Sequence, residues 1–147
     1  MAFGKLDRSA RPPGSIPWGY STDLIELRYA DVLLCLAEAQ NEIGNTSAAI
    51  QLVNLVRNRA NASLYNVGNQ DIVRNQIRKE RRLELSGEFT TVYDIRRWGT
   101  LNNEIAAMDP LQIVDNALNP YSTKLELYPI PQIQLDANPN LKQNPGW

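Results

Sequence analysis

The sequence predicts a mainly α-helical fold, because apolar residues recur three and four positions apart in several successive segments. Glycines and short polar links separate these segments, as expected where one helix ends and the next begins. Residues 100–147 lack this periodicity and predict a long irregular C-terminal segment. We therefore expect an all-α fold of helical hairpins, followed by an irregular segment that includes a short extended or β strip.

Composition narrows the possible functions. The chain has 147 residues, about one domain by length, with 43% hydrophobic and 21% charged residues, as in a folded globular protein. The net charge of −1 argues against electrostatic binding to nucleic acid. Because there is no histidine, histidine-based catalysis and histidine metal sites are excluded. The single cysteine, Cys35, excludes an internal disulfide, and the longest apolar run, residues 32–37, is too short to span a membrane.

The first 22 residues form an irregular lead-in, because prolines and glycines interrupt them. Trp18 and Tyr20 are the notable side chains here. They could pack onto the first helix as a lid, or they could form an exposed aromatic platform for a ligand ring.

The first helix is predicted at about residues 23–43, with Ser21 or Asp23 as N-cap and Gly44 as its stop. It has two apolar stripes. One contains Leu27, Ala30, Leu34 and Ala37, and the other contains Tyr29, Leu33, Leu36 and Ile43. A helix that is apolar on two sides is usually sandwiched between neighbours.

The second helix is predicted at about residues 46–60. Its short link to the first makes the two helices antiparallel neighbours. The spacing is similar to that of a tetratricopeptide unit, but only one such pair is visible. Because three or more repeats normally form a stable solenoid, partner helices are expected to come from elsewhere.

Two further helices are predicted at about 71–86 and 88–98, after a loop that contains Tyr65. Glu80 and Glu84 lie in the apolar stripe of the first, and Arg96 lies in that of the second, beside Arg97. Because buried charges are normally paired, we expect the two helices to pack together with Glu80 and Glu84 bound to Arg96 or Arg97. Trp98 is expected to pack against an arginine.

The irregular C-terminal segment contains Tyr121, in its first half, and the predicted extended strip at residues 125–131. Pro129 and Pro131 restrict this strip to a sheet edge or to unpaired extended chain. Pro131 also suits the start of a helical turn.

Three chemical interpretations fit the sequence less well than this structural one. Glu80, Glu84 or Asp94 could serve as glycosidase carboxylates, but Glu80 and Glu84 project side by side from one helix instead of flanking a bond. The arginines of the third helix point around several sides and are interrupted by acids, which is typical of a solvated or ion-paired surface rather than a nucleic-acid site. Residues 115–119 do not have the spacing of a calcium loop. We expect no catalytic residue, no metal and no cofactor.

Four stretches in order then resemble one family. They are LRYADVLL at 27–34, continuing through AEA at 37–39 to Gly44; VNLVRNRA at 53–60; the segment 77–99, with ERRLEL at 80–85 and YDIRRWG at 93–99; and YPIP at 128–131 with NPNL at 138–141 and QNPGW at 143–147. Together they cover residues 23–147 and resemble the C-terminal part of the SusD/RagB family of outer-membrane nutrient-binding lipoproteins of Bacteroidetes.

The resemblance implies a non-enzymatic, surface-exposed protein of the outer membrane that binds an oligosaccharide or another nutrient. Its expected partner is a SusC-like TonB-dependent transporter. Contact with the membrane would be made through a lipid anchor that this chain does not contain, so the chain is expected to be a fragment of a longer protein. Residues 23–147 would form its C-terminal domain.

No ligand-binding residue follows from the matched stretches, which are framework stretches. Exposed aromatic residues are the candidates for ligand binding: Trp18, Tyr20, Tyr65 and Tyr121. The alternative function is a cytoplasmic helical-repeat module for protein interaction, which accounts for the first two helices but not for the tail. We also expect an exposed apolar face on the first or second helix, and hence a tendency to self-associate.

Overall fold

In the computed structural model the described residues are 26–107, 122, 124 and 126–147. Within these ranges the chain forms six α-helices and no strand, which confirms the mainly helical fold. The helices are α1 (Tyr29–Glu42), α2 (Thr46–Arg59), α3 (Gln70–Glu84), α4 (Thr91–Arg97), α5 (Leu101–Ala106) and α6 (Gln132–Ala137). The chain divides into two compact units, Met1–Thr91 and Val92–Trp147.

The core of the first unit lies between α1, α2 and α3, which pack on one another. Each helix contributes one apolar stripe at helical spacing, as the sequence predicts. The buried residues are Leu33, Leu34 and Ala37 from α1, Ala49, Ile50, Val53 and Val56 from α2, and Val73 and Ile77 from α3. Small alanines on the facing sides of α1 and α2 allow the two backbones to approach closely.

The first helix begins later than the sequence predicts. It starts at Tyr29, after Arg28 in an extended conformation with φ −144° and ψ 161°. The guanidinium of Arg28 reaches across to Glu84 and Glu88, so residues 26–28 are outside the helix. Its end agrees with the prediction, because Gly44 adopts φ +90°, a conformation that glycine accepts without strain.

The end of α1 is joined to the start of α3 by a pair of amide side chains. Asn41, fully buried, donates from Nδ2 to the Gln70 carbonyl at 3.0 Å. Gln70 returns the bond from Nε2 to the Asn41 carbonyl at 2.7 Å. The side chain of Asn69 caps α3 by accepting from the Ile72 amide at 2.9 Å. These bonds fix where α3 begins against the α1–α2 hairpin.

The predicted fourth helix, 88–98, is shorter in the structure. Gly87 and Phe89 have φ values of 80° and 59°, so the backbone cannot be helical there, and α4 begins at Thr91. Phe89 and Tyr93 would share the apolar stripe of Arg96 in the predicted helix, but they are 74% and 65% exposed. The buried residue of α4 is instead Asp94.

The second unit contains α4 from Val92 onward, α5, α6 and the tail. The prediction that residues 100–147 are irregular is wrong at α5, where Leu101 and Ile105 are buried. At α6 the helical turn predicted to start at Pro131 is confirmed, with Pro131 as the N-cap. Such short helices escape a periodicity argument because they contain fewer than two turns.

The strip at 125–131 is not a paired strand where the structure describes it. The backbone groups that a neighbouring strand would bind are satisfied by side chains of the tail. Gln143 accepts from the Ile130 amide at 2.8 Å and donates to its carbonyl at 2.9 Å, while Asn144 donates to the Tyr128 carbonyl at 2.7 Å. Trp147 Nε1 donates to the Lys124 carbonyl at 3.0 Å. The residues that resemble a tail motif therefore pin the extended chain within this unit.

Candidate functional site

Glu80 and Glu84 lie on the inner face of α3, and both are buried. Arg57 of α2 donates from Nη1 to Glu80. Arg59 of α2 donates from Nη2 to Glu84 at 2.5 Å, and Arg28 donates to the same carboxylate. The two acids therefore join α3 to α2 and to the residue that precedes α1.

Arg28 is the most extensively bonded side chain of this cluster. Its Nε donates to Glu88 Oε2 at 2.8 Å, and its Nη2 donates to the Glu84 carbonyl at 2.6 Å. Burial by itself would lower the pKa of Arg28, but the hydrogen bonds to Glu88 and Glu84 outweigh it and raise that pKa. The guanidinium is therefore a permanent charge that holds Glu84 and Glu88 against the start of α1.

A second buried arginine, Arg81, faces α1. Its Nη1 donates to Asp31 at 2.8 Å and lies 3.2 Å from the Cys35 sulfur. Burial raises the pKa of the Cys35 thiol, and the nearby Arg81 charge only partly opposes this. The Cys35 thiol therefore stays neutral near pH 7, although Cys35 is an exposed residue of α1.

The expected pairing of Glu80 and Glu84 with Arg96 or Arg97 would join the two units and stays a prediction. Within the second unit, Arg97 donates from Nε to Asp94 at 2.9 Å, and its guanidinium carbon lies 5.1 Å from the centre of the Trp98 ring. The expected packing of Trp98 against an arginine is confirmed. The guanidinium carbon of Arg96 lies 4.4 Å from the centre of the Tyr128 ring.

Sequence reasoning missed Arg28, Arg57 and Arg59 as partners of the buried acids. These arginines are separated from the acids by 23 to 56 residues along the chain, so no local spacing connects them. No signal in the sequence pointed to Arg57 and Arg59, because the helix expected to pack beside the acids was the one at 88–98.

Among the aromatic candidates for ligand binding, Tyr65 is the one within the described residues; Trp18, Tyr20 and Tyr121 lie outside them. Tyr65 is half-buried against the core, and the guanidinium carbon of Arg57 lies 3.8 Å from its ring centre. Its backbone is held by Asn54, which accepts from the Tyr65 amide and donates to its carbonyl, both at 2.9 Å. One ring face is therefore covered by arginine, and a sugar could stack only on ring surface that neither Arg57 nor the core covers.

A cleft of about 600 Å³ opens where the start of α1 meets the end of α2. It is lined by apolar, aromatic and cationic side chains: Arg28, Tyr29, Ala30, Leu33, Leu55, Val56 and Arg59. Tyr29 and Arg59 are well exposed, whereas Glu80 and Glu84 do not line the cleft. The volume is in the range of small-molecule sites. The buried carboxylates thus stabilise the helices around this cleft without facing into it.

Within residues 26–107, 122, 124 and 126–147, no group of three or more cysteine, aspartate or glutamate residues is placed to hold a metal ion. Nor does any helix in this part of the chain have the length and apolar character needed to cross a membrane. Residues 115–119, whose spacing does not match a calcium loop, are outside the described ranges.

Comparison with known proteins gives consistent matches. The family model described as the SusD family matches residues 6–147. Among curated proteins, SusD-like protein P2 of Formosa agariphila is 40% identical over 137 residues, covering 86% of this chain and 26% of the relative. SusD-like protein P25 of the same organism is 35% identical over 133 residues, covering 86% and 24%.

Two solved structures have a similar fold. A SusD-like protein from Bacteroides fragilis superposes with a TM-score of 0.71 at 29% identity, covering 86% of this chain and 26% of that one. A SusD superfamily protein from Bacteroides vulgatus superposes with a TM-score of 0.68 at 33% identity, covering 83% and 27%. The chain therefore spans about a quarter of the length of the relatives that it matches.

Proposed function

The chain belongs to the SusD family, and from this premise we propose that it is part of a non-catalytic binding protein for glycans or other nutrients. In this proposal the protein acts at the outer membrane, where it is held by a lipid anchor and delivers its ligand to a SusC-like TonB-dependent transporter. The observation that carries the proposal is the match of the family model to residues 6–147.

The ionic cluster around α3 supports a framework role for the first unit. Its buried carboxylates are each bound by arginines from other segments, and they point between helices instead of into the cleft. Such an arrangement holds helices in place but offers no pair of carboxylates on opposite sides of a bound sugar, which glycoside hydrolysis requires. This favours binding over catalysis.

Ligand affinity would come from sugar rings stacked on exposed aromatic faces, with polar side chains binding the hydroxyl groups. We propose Trp18, Tyr20 and Tyr121 as such platforms, together with the ring face of Tyr65 that Arg57 does not cover. The framework would hold these aromatic side chains in position.

The cytoplasmic interaction module that the first two helices also allow has less support, because the relatives and structures described above are all SusD-like proteins. It predicts an affinity for peptides in place of sugars.

The test is a glycan array followed by calorimetry, with both this 147-residue chain and the complete product of its reading frame. We expect at least one oligosaccharide to bind the complete product. Trp18→Ala or Tyr20→Ala should weaken binding by roughly tenfold, the loss of about 1.4 kcal/mol of stacking energy. Tyr93→Ala, at an exposed tyrosine that is not a candidate, is the matched control.

Two results would contradict the proposal. One is the absence of any bound oligosaccharide or other nutrient on the complete product. The other is hydrolysis of a glycan that Glu80→Gln abolishes, since this would assign catalysis to the buried acids.

A further inference from the structure

The chain between α2 and α3 contains an extended stretch whose two edges differ. No helix, turn or bend interrupts residues 62–69. In extended chain the backbone N–H and C=O groups of one residue point to one edge, and those of the next residue point to the opposite edge. The backbone groups of Ser63 and Tyr65 therefore lie on one edge, and those of Leu64 and Asn66 lie on the other.

The edge formed by Ser63 and Tyr65 is paired with side chains of α2. Asn54 accepts from the Tyr65 amide through Oδ1 and donates to the Tyr65 carbonyl through Nδ2, both at 2.9 Å. One amide side chain thus makes the two bonds that a residue of a neighbouring strand would make. Arg57 donates from Nε to the Ser63 carbonyl at 2.6 Å. These bonds hold the stretch extended against α2.

The opposite edge, formed by the N–H and C=O groups of Leu64 and Asn66, is unpaired, and we call it the open edge. Within the part of the chain that the structure describes, no residue makes a hydrogen bond to these four groups. Both residues are exposed, Leu64 to 58%. The open edge therefore has the alternating donors and acceptors of a sheet edge, and their complement is another extended backbone.

A second extended stretch, residues 128–131, shows how such an edge is blocked. Its paired edge is also held by an amide side chain, because Gln143 binds both backbone groups of Ile130. Its other edge carries Pro129 and Pro131, which have no N–H to donate. Proline and charged residues are the usual means of preventing a sheet edge from pairing with another chain. The open edge has neither, since the whole link between α2 and α3 lacks proline and charge.

We propose that the open edge is the docking site for an extended peptide segment of a partner protein, which adds to residues 63–67 as a strand. Five extended residues span about 17 Å, so a partner segment of about the same length would pair with them. Its backbone would bind the four open groups, and an apolar side chain opposite Leu64 would cover that exposed side chain. Because Asn54 and Arg57 already hold the stretch extended, binding would cost little further ordering.

This inference goes beyond the proposed binding of nutrients and does not rest on it. The cytoplasmic module would bind peptides in place of sugars, whereas the open edge adds a peptide site to a protein that binds sugars. A glycan array without a bound sugar would therefore leave the open edge standing. Failure of the peptide experiment below would likewise leave the nutrient-binding proposal intact.

The test begins with a phage-displayed library of random peptides, about 12 residues long, selected on the 147-residue chain. Calorimetry then measures the binding of each selected peptide to the chain and to two variants. Asn66→Pro removes an N–H group from the open edge, while Tyr65 keeps its bonds to Asn54. Asn66→Ala is the matched control, because it changes the same side chain but keeps the backbone N–H. Far-UV circular dichroism verifies that both variants are folded.

We expect peptides whose affinity falls by roughly tenfold or more with Asn66→Pro and by less than about twofold with Asn66→Ala. In amide hydrogen exchange followed by NMR, saturating peptide should slow exchange at Leu64 and Asn66 by roughly tenfold or more. Exchange at Tyr65 should change little, because its amide is already bound by Asn54. N-methylation of alternate peptide amides should abolish binding in one register and preserve it in the other, and this readout remains valid if Asn66→Pro does not fold.

Three results would overturn the proposal. The first is the absence of any selected peptide that Asn66→Pro weakens more than Asn66→Ala does, or equal loss of binding in both N-methylation registers. The second is slow amide exchange at Leu64 and Asn66 in the complete product of the reading frame without peptide, because the edge would then be paired within the polypeptide. The third is a dimer of the 147-residue chain that Asn66→Pro converts to monomer, which would assign the open edge to a second copy.

Discussion

Replacing Arg57 by methionine tests whether the buried ion pairs hold the first unit together. The side chains of Arg57 and Glu80 are 11% and 5% exposed, so the substitution leaves a buried carboxylate without its arginine. Arg57 also donates from Nε to the Ser63 carbonyl at 2.6 Å and covers the Tyr65 ring. Breaking a buried pair costs about 3–5 kcal/mol, which for a chain of this size lowers Tm by about 6–20 °C.

The assay is urea unfolding followed by circular dichroism at 222 nm, with thermal unfolding as a second measurement. The matched control is Arg74→Met, which removes pairs to Glu42 and Asp71, whose side chains are 46% and 83% exposed. Exposed pairs of this kind contribute less than about 1 kcal/mol. The double variant with Arg57→Met and Glu80→Leu should recover much of the lost stability, because an apolar pair replaces an uncompensated charge.

The reasoning is refuted if Arg57→Met lowers the free energy of unfolding by less than about 1 kcal/mol, or by no more than Arg74→Met does. It is also refuted if the double variant is no more stable than Arg57→Met alone. Either result would mean that Glu80 is solvated well enough to need no partner.

Three further predictions follow from the same contacts. Arg28→Ala removes two ion pairs of a half-buried guanidinium and should lower the free energy of unfolding by about 2–4 kcal/mol in urea titrations, and a smaller loss than for Arg74→Met would contradict this. The hydrogen bond from Arg74 lowers the pKa of Glu42, so Arg74→Met should raise that pKa in an NMR titration. Because the pKa of Glu42 is lower in the folded state than in the unfolded state, the pair's small contribution to the free energy of unfolding is present at pH values above the unfolded pKa. That contribution is lost as pH falls through the folded pKa. Burial raises the pKa of Tyr65, so the contribution of Tyr65 to the free energy of unfolding is complete below the unfolded tyrosine pKa of about 10. This contribution is lost as pH rises through the folded pKa. Tyr65→Phe should therefore reduce the loss of stability above that pH in urea titrations.

The α1–α2 hairpin was predictable because its signals are local. Apolar residues at helical spacing define the buried stripes, and Gly44 marks the turn with a positive φ. The start of α1 was not predictable, since it depends on Arg28 reaching side chains 56 and 60 positions later in the sequence. Likewise, the sequence does not indicate the positive φ of Phe89 that delays the start of α4, because phenylalanine normally avoids this conformation.

The candidate site was predictable only in part. The acids Glu80 and Glu84 stood out because charges in an apolar stripe need partners, and they are buried and paired as that argument requires. Their partners in the structure come from α2 and from Arg28, because packing, and not sequence spacing, decides which of several arginines is near. The cleft beside Tyr29 follows from the meeting of two helix ends and has no sequence motif.

By itself, the sequence determined the helical class of this protein, its family and two of its buried charges, Glu80 and Glu84. The helical class and the buried charges depend on residue types at spacings of one or two helix turns. The family depends on ordered stretches of sequence that can be compared directly. Tertiary structure alone decided which arginine neutralises which acid, which of the two apolar sides of α1 is buried, and where the cleft opens. These depend on distances between residues far apart in the chain, which local periodicity does not encode. The same packing leaves Tyr29, Leu36 and Ile43 of α1 exposed.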